Sequence, residues 1–547
     1  MPNPSGRMKV YAATIPPFTV APTALQENAR TLVNKFILGR MDGQADGVIN
    51  FSDAVGAGIE DGSSAAYDTV MSDYLTSDGT ALSPNEAYYE ALAWQYVTDA
   101  EDTDWKLDDQ SGGTEDGSRS IAVWDFDDNT GSTARDTGDG TGSTKTKHPT
   151  TLTNVAWGKS RRVGASAGTF NGTSSYGTTD LKPNTTASLT VSAWVKLTDG
   201  STDRPVFARG SVAGAPSLTL TYQASDKHWA AQVQTAATGE GIGSTTALSD
   251  NEAQIGVWTH LAVSYDAEDQ ELSLFVNGHQ DTNPPSVRPF NDPNGATWIG
   301  RTKDSYFAGD IAAVRVWARK LGEAEMELWA APINVLDWEL NWTGPPAQAE
   351  DNSPYDHPGT LTGDASYSCN GHTEEDECAT HFGGVDGAIT RNAVLNTDQS
   401  FSISAWARLE NTDEDYTVVS QDGNHVAGFL LQWNSHNNSW RFLTAGADTD
   451  NPATAEVNAQ AGASDPHQWT HLVGVYDATA GTLSLYVNGE PADTQPARHS
   501  WNATGQFAVG RGFWNGQKTG HLTGDIDAIR AYQGVLTADQ VVELKGL

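Results

Sequence analysis

The chain is short of cysteine, of basic residues and of long apolar runs, and each shortage closes off a class of protein. With only two cysteines in 547 residues, thiols alone cannot complete a zinc shell. No run of 18 apolar residues occurs, which excludes an ordinary transmembrane helix. Lys and Arg number 32 against 70 Asp and Glu, a formal net charge of −38, so the surface repels nucleic acid and anionic membrane. Neither is expected as a partner. The start Met1-Pro2-Asn3-Pro4 leads into residues 10 to 20, which Thr14, Pro16 and Pro17 interrupt before a signal-peptide core forms. No export signal is expected there. A serine nucleophile elbow, a phosphate-binding P-loop and a His-Glu-x-x-His motif are all missing.

The chain is rich in aromatics: 18 Trp, 16 Tyr and 15 Phe bury more area than a disordered acidic chain offers, so an ordered protein is expected. Its length predicts a modular protein, at roughly one domain per 100 to 200 residues. The acid excess, with abundant Asp, Thr, Ala and Gly, resembles the composition of proteins from salt-loving archaea. In molar salt the Debye length falls to about 3 Å, so the self-repulsion of such a surface is screened. Cys369 and Cys378 lie close in sequence and read as a local disulfide, with two free thiols as the alternative. A disulfide without an export signal points to work outside the cell after release by another route, such as inside a virus freed by lysis.

The sequence contains an internal repeat. Leu189-Thr190-Val191-Ser192-Ala193-Trp194-Val195-Lys196-Leu197 returns as Phe401-Ser402-Ile403-Ser404-Ala405-Trp406-Ala407-Arg408-Leu409. Trp258-Thr259-His260-Leu261 and Leu274-Phe275-Val276-Asn277-Gly278 recur as Trp469-Thr470-His471-Leu472 and Leu485-Tyr486-Val487-Asn488-Gly489. Ile299-Gly300-Arg301 matches Val509-Gly510-Arg511, and Gly309-Asp310-Ile311 matches Gly524-Asp525-Ile526. Period-two alternation and β-branched or aromatic enrichment make these blocks strands, and the Asn-Gly pairs fit tight turns that need positive φ. Each repeat is expected to end in a short helix, at residues 321 to 329 and after the capping pair Thr537 and Gln540.

Together with Trp124-Asp125-Phe126 and Phe170-Asn171-Gly172, these blocks resemble the laminin-G-like, concanavalin-A-like jelly-roll superfamily over about 75 per cent of the chain. The second copy departs at Trp338-Glu339-Leu340 and Phe382-Gly383-Gly384. The expected fold class is mainly β: two tandem antiparallel β-sandwiches at 119–331 and 332–547, behind a small, partly helical, irregular region at 1–118. That region carries helix-like stretches from Thr23 through Phe36 and from Ser83 through Tyr96, then an acidic linker at 109 to 118. It reads as an attachment piece, with a small independent helical domain as the alternative.

The resemblance includes glycoside hydrolases, whose retaining members need two carboxylates about 5.5 Å apart. No strand carries such a pair, and acids such as those at 410 to 415 fall in turns, so no enzyme is expected. In similar jelly-rolls a calcium ion often bridges strands, which makes Asp525, Asp527 and Asp310 candidate ligands, although Ala312 replaces the counterpart of Asp527 in the first copy. His260 and His471 read as structural. Sugar contact needs exposed aromatic planes beside amides and carboxylates. Five extra residues between Arg511 and Gly524 hold Phe513, Trp514, Asn515 and Gln517; Trp501, Trp433, Trp440, Trp229 and Tyr306 complete the candidates.

The expected role is a virion structural protein of a halophilic archaeal virus, a turret, spike or tail-fibre subunit. It would be held to other virion proteins through residues 1–118, form a homo-oligomer such as a trimer, and display lectin-like domains to a host glycan or glycoprotein. The alternative is a secreted or cell-surface carbohydrate-binding adhesion protein of a halophilic archaeon.

Overall fold

In the computed structural model, the residues described are 120–545, except 139, 142–144, 161–165, 211–215, 236–242, 282–283, 341–347, 354, 369–370, 373–377, 386, 391 and 499–500, together with two earlier strands. Met1–Ser120 and Ile121–Leu547 separate as compact units. In the first, Tyr11–Ala13 pairs in parallel with Gly47–Ile49. The helices expected from Thr23 and Ser83 and the linker at 109 to 118 lie outside the described residues.

The second unit holds two β-sandwiches, as alternation predicts. In the first sandwich, one sheet runs His279–Gln280, Glu271–Val276, Trp258–Asp266, Leu189–Leu197, Ala308–Trp317, Ser166–Asn171 and Ala156–Lys159. The facing sheet, called here the front sheet, runs Ser244–Glu252, His228–Gln234, Leu218–Gln223, Arg204–Arg209, Thr297–Ile299, Tyr176–Thr179, Thr150–Thr153 and Thr133–Ala134. The second sandwich repeats this with Ala379–Gly383, Thr523–Gln533, Phe401–Leu409 and Thr470–Asp477 in one sheet. Its front sheet contains Phe507–Val509, Tyr416–Asp422, Ala427–Asn434 and Ser439–Ala445.

Leu189, Val191, Ala193, Val195 and Leu197 alternate into the first core, and Phe401, Ile403, Ala405, Ala407 and Leu409 into the second. Trp124, Trp229, Trp317, Trp338 and Trp440 are fully buried, each contributing on the order of 3 kcal/mol through removal from water. In the first sandwich the sheet that contains Leu189–Leu197 is also covered on its reverse face, which explains why polar Thr190 and Ser192 are buried there. Thr190 Oγ1 donates to the Arg319 carbonyl at 2.8 Å, on the way into the helix Glu323–Ala330. In the second sandwich Val541 and Leu544 of the helix Ala538–Lys545 pack on Val473 and Val475. The capping pair is formed: Thr537 N donates to Gln540 Oε1 at 2.9 Å and Gln540 N to Thr537 Oγ1 at 3.3 Å. No described helix is long and apolar enough to cross a membrane.

Asn277 and Asn488 have φ of 51° and 54°, followed by Gly278 and Gly489 at 90° and 83°. Their side chains do further work, since Asn277 Oδ1 accepts from His260 N at 2.9 Å and Asn488 Oδ1 from His471 N at 3.0 Å. The two sandwiches meet through Gln399, whose Oε1 accepts from Trp258 N at 2.8 Å and whose Nε2 donates to the Gly256 carbonyl at 3.0 Å. Asn277 Nδ2 also donates to Thr479 Oγ1 at 3.1 Å across the same junction.

Candidate functional site

The outer face of the first front sheet carries the site. Thr297 and Ile299 turn into the core and are fully buried, so Trp298 between them points outward, where it is half-buried. Ala208 lies opposite Trp298 in the register, Thr219 opposite Ala208 and Gln232 opposite Thr219, so one row of side chains crosses the sheet. Beside that row opens a groove of about 380 Å³, lined by Thr219, Thr221, Gln223, Gln232 and the rim residues Asp203 and Lys303. Gln223 Oε1 is buried and makes no hydrogen bond among the described residues. Hydroxyls, amides and a carboxylate on one open face are the donors and acceptors a sugar requires.

Arg301 stands at the end of this row, its Cζ lying over three rings: Tyr176 at 4.4 Å, Trp298 at 5.2 Å and Tyr306 at 5.3 Å from the centroids. Its direction is set by Gly300, whose φ of 74° lets the chain turn and whose missing Cβ makes room for Phe170, 2.4 Å from where that carbon would be. Gly510 repeats the arrangement against Phe382. Arg301 Nε donates to the Thr302 carbonyl at 3.0 Å, and no described carboxylate pairs with it.

The corresponding face of the second sandwich is closed. The extra residues form a hairpin, Gly512–Trp514 with Gln517–Thr519, and Phe513 and Trp514 pack on Ala427, Leu430 and Leu443. Beneath it Arg511 is fully buried and held by Asp422, with contacts of 2.9 and 2.8 Å. The end of this sandwich is open instead, with a shallow polar groove of about 720 Å³ lined by Glu410, Asn411, Asp413, His436, Asn438 and His467, among others.

The family model described as the concanavalin A-like lectin/glucanases superfamily matches residues 171–327 and 382–542. The chain belongs to that superfamily. Among similar solved structures is domain 4 of AbnA, an extracellular arabinanase from Geobacillus stearothermophilus in complex with arabinotriose. It is 19% identical over 39% of this chain and 98% of that one, with a TM-score of 0.28. Mouse laminin alpha1 domains LG4-5 are 12% identical over 65% of this chain and 88% of that one, with a TM-score of 0.23. The receptor-binding domain of botulinum neurotoxin type G is 15% identical over 39% of this chain, which covers 51% of that domain, with a TM-score of 0.30. No curated protein matches the chain in sequence.

Against this lectin-like fold, the sequence candidates divide. Trp433, Trp440 and Trp229 are core residues, 4%, 1% and 2% exposed, because the strands beside each hairpin turn them inward; they correct the expectation of sugar contact. Trp433 and Trp440 pack edge to face at 5.4 Å. Trp501 is half-buried and donates from Nε1 to the Ala445 carbonyl at 2.7 Å. Asn515 is exposed at the hairpin tip, where it exchanges two 2.9 Å hydrogen bonds with Asn451, and Gln517 is exposed. Phe513 and Trp514 serve as a cover for the sheet, and Tyr306 belongs to the arginine cluster.

The calcium candidates are engaged by other partners. Asp310 faces Lys196 Nζ at 2.8 Å; Asp525 takes Arg408 at 2.5 Å and His381 at 3.0 Å; Asp527 accepts from His372, with Nδ1 at 2.9 Å. A bound ion would have to displace these groups. His372 in turn stacks on Trp406 at 4.6 Å, and the His471 ring lies 5.1 Å from the same indole. Burial, aided by the charge of His372, pushes His471 down to about 3. Cys378 is buried, while Cys369 lies outside the described residues.

Arg301, Trp298 and Tyr176 escaped the sequence reading. The available signal was a mismatch between aligned repeats. Gly210 N donates to the Ala296 carbonyl as Asp422 N does to Gln506, so glycine stands in the first copy where the second holds the carboxylate for Arg511.

Proposed function

We propose that the chain is a non-catalytic carbohydrate-binding protein whose first sandwich makes the principal contact through the open face of its front sheet. One observation carries this reading: Trp298, Tyr176 and Tyr306 gather around Arg301 beside a groove of hydroxyl and amide groups. Aromatic planes offer apolar surface to the ring face of a sugar, and the groove offers its hydroxyls partners. Membership of the superfamily supports a lectin-like role outside the cell. Titrating the full chain against a glycan array in molar salt tests it, with Trp298→Ala expected to remove most binding and unchanged binding counting against it.

The finer reading places the protein on the virion of a halophilic archaeal virus as a turret, spike or tail-fibre subunit. Residues 1–118 would dock to other virion proteins, and repeated copies would add weak sugar contacts into useful avidity. The acid excess supports it. A secreted or cell-surface adhesion protein is the competing reading. Co-sedimentation with virus particles in high salt supports the first, and recovery in cell-envelope fractions alone rejects it. Calcium at Asp525 and Asp527 and a Cys369–Cys378 bridge remain proposals within either reading, tested by calorimetry with calcium and by mass spectrometry without reductant.

A further inference from the structure

We propose that Arg301 receives an oxyanion on the ligand, so that the first sandwich selects acidic sugars, carrying a carboxylate or a sulfate ester, over neutral ones. The inference rests on the carbohydrate-binding reading of the same face and adds the charge class of the ligand.

The second sandwich contains the interaction in intramolecular form. Arg511, the counterpart of Arg301, presents two guanidinium nitrogens to the two oxygens of Asp422 at 2.9 and 2.8 Å. At the equivalent place the first sandwich has Gly210, and an ideal Cβ there would lie 2.6 Å from the Trp298 ring. Trp298 stands opposite Ala208 where the second copy pairs Ala508 with Ser420. The first copy has therefore exchanged a carboxylate for an indole and kept the arginine.

That exchange matters in a chain with more than twice as many acids as bases. Arg204, Arg408, Arg441 and Arg530 each take an Asp or Glu, whereas Arg301 takes three rings and one backbone carbonyl. Rings lying over a guanidinium hold its plane in one orientation and leave its edge to donate, the geometry that matches a carboxylate or sulfate with two parallel hydrogen bonds. The neighbouring rim carries Asp203, Asp304 and Lys303. The two carboxylates repel a second acid group and accept from hydroxyls, which favours a sugar with one anionic substituent per contacting unit over a dense polyanion.

The test uses the full chain in molar salt, where the net charge is screened to about 3 Å. Affinity is measured for alginate oligosaccharide, for its carboxyl-reduced neutral form, and for dextran with and without sulfate esters. Wild type is expected to prefer the acidic member of at least one pair by about tenfold, consistent with a charge-assisted bidentate contact. Arg301→Gln should abolish that preference, and Arg301→Lys, with charge but no planar fork, should retain only part of it. Thermal unfolding of both variants guards against loss of fold. The alginate and dextran arms separate a carboxylate from a sulfate. Equal affinity of wild type for both members of each pair overturns the oxyanion role and leaves the carbohydrate reading intact. Preference persisting in folded Arg301→Gln overturns it as well. Binding to none of the four polymers overturns both.

Discussion

Asp422 and Arg511 form a two-pronged ion pair within the second sandwich, sealed beneath the hairpin that carries Trp514. Removing one partner leaves a buried, uncompensated charge, whereas removing both leaves a cavity that apolar atoms can fill. Asp422→Ala is expected to destabilise the second sandwich by about 3 to 5 kcal/mol, and Asp422→Leu combined with Arg511→Met to restore most of that. Hydrogen exchange along Tyr416–Asp422 under increasing denaturant measures both; wild-type protection in Asp422→Ala would show the pair to be inert.

Trp514 reports on the hairpin itself. As a half-buried cover over Leu430 and Leu443, its truncation to alanine is expected to cost about 1 to 3 kcal/mol and to leave glycan affinity unchanged. Parallel unfolding and binding curves decide it, and a selective loss of binding would return the hairpin to the list of contact loops.

Acid affects the two sandwiches in opposite senses at one buried and one half-buried group. His471 is pushed down to about 3, chiefly by burial, so between pH 3 and the ordinary histidine value near 6.5 the unfolded chain binds the extra proton. Its contribution is therefore complete above pH 6.5 and lost as pH falls toward 3, with a slope of at most about 1.4 kcal/mol per pH unit. Asp281 in the first sandwich is pushed up to about 6, again by burial, so there the folded state holds the proton. Its contribution is present below the ordinary value near 3.8 and lost as pH rises through 6. His471→Gln is expected to flatten the acid side of the stability profile of the second sandwich, and an unaltered profile would contradict the assignment.

The junction should loosen when Gln399 is shortened. Gln399→Ala leaves the Trp258 amide and the Gly256 carbonyl without their partner, at a cost of about 1 to 3 kcal/mol per buried group. Faster exchange of the Trp258 amide and a larger radius of gyration in solution scattering are expected, with each sandwich still folded. Unchanged scattering would place the rigidity elsewhere.

The fold was legible because strand alternation and Asn-Gly turns are local, and because two copies of each block expose the pattern twice. The capping pair Thr537 and Gln540 was legible for the same reason. The open face was not. Trp229, Trp433 and Trp440 look like the half-exposed Trp298 in sequence, and only strand register decides which side of a sheet each one meets. Arg301 and Arg511 align within an identical Gly-Arg pair, yet one lies among rings and the other against a carboxylate supplied by a different strand. The His372 stack on Trp406 likewise joins residues far apart in the chain, so no spacing announced it.

The most direct test is the affinity of Trp298→Ala for a glycan that the wild-type chain binds on an array in molar salt, compared with Trp514→Ala. The open-face account predicts at least a tenfold loss for the first and none for the second, a loss of about 1.4 kcal/mol or more. Retained binding in folded Trp298→Ala together with lost binding in Trp514→Ala would place recognition on the second sandwich and contradict it.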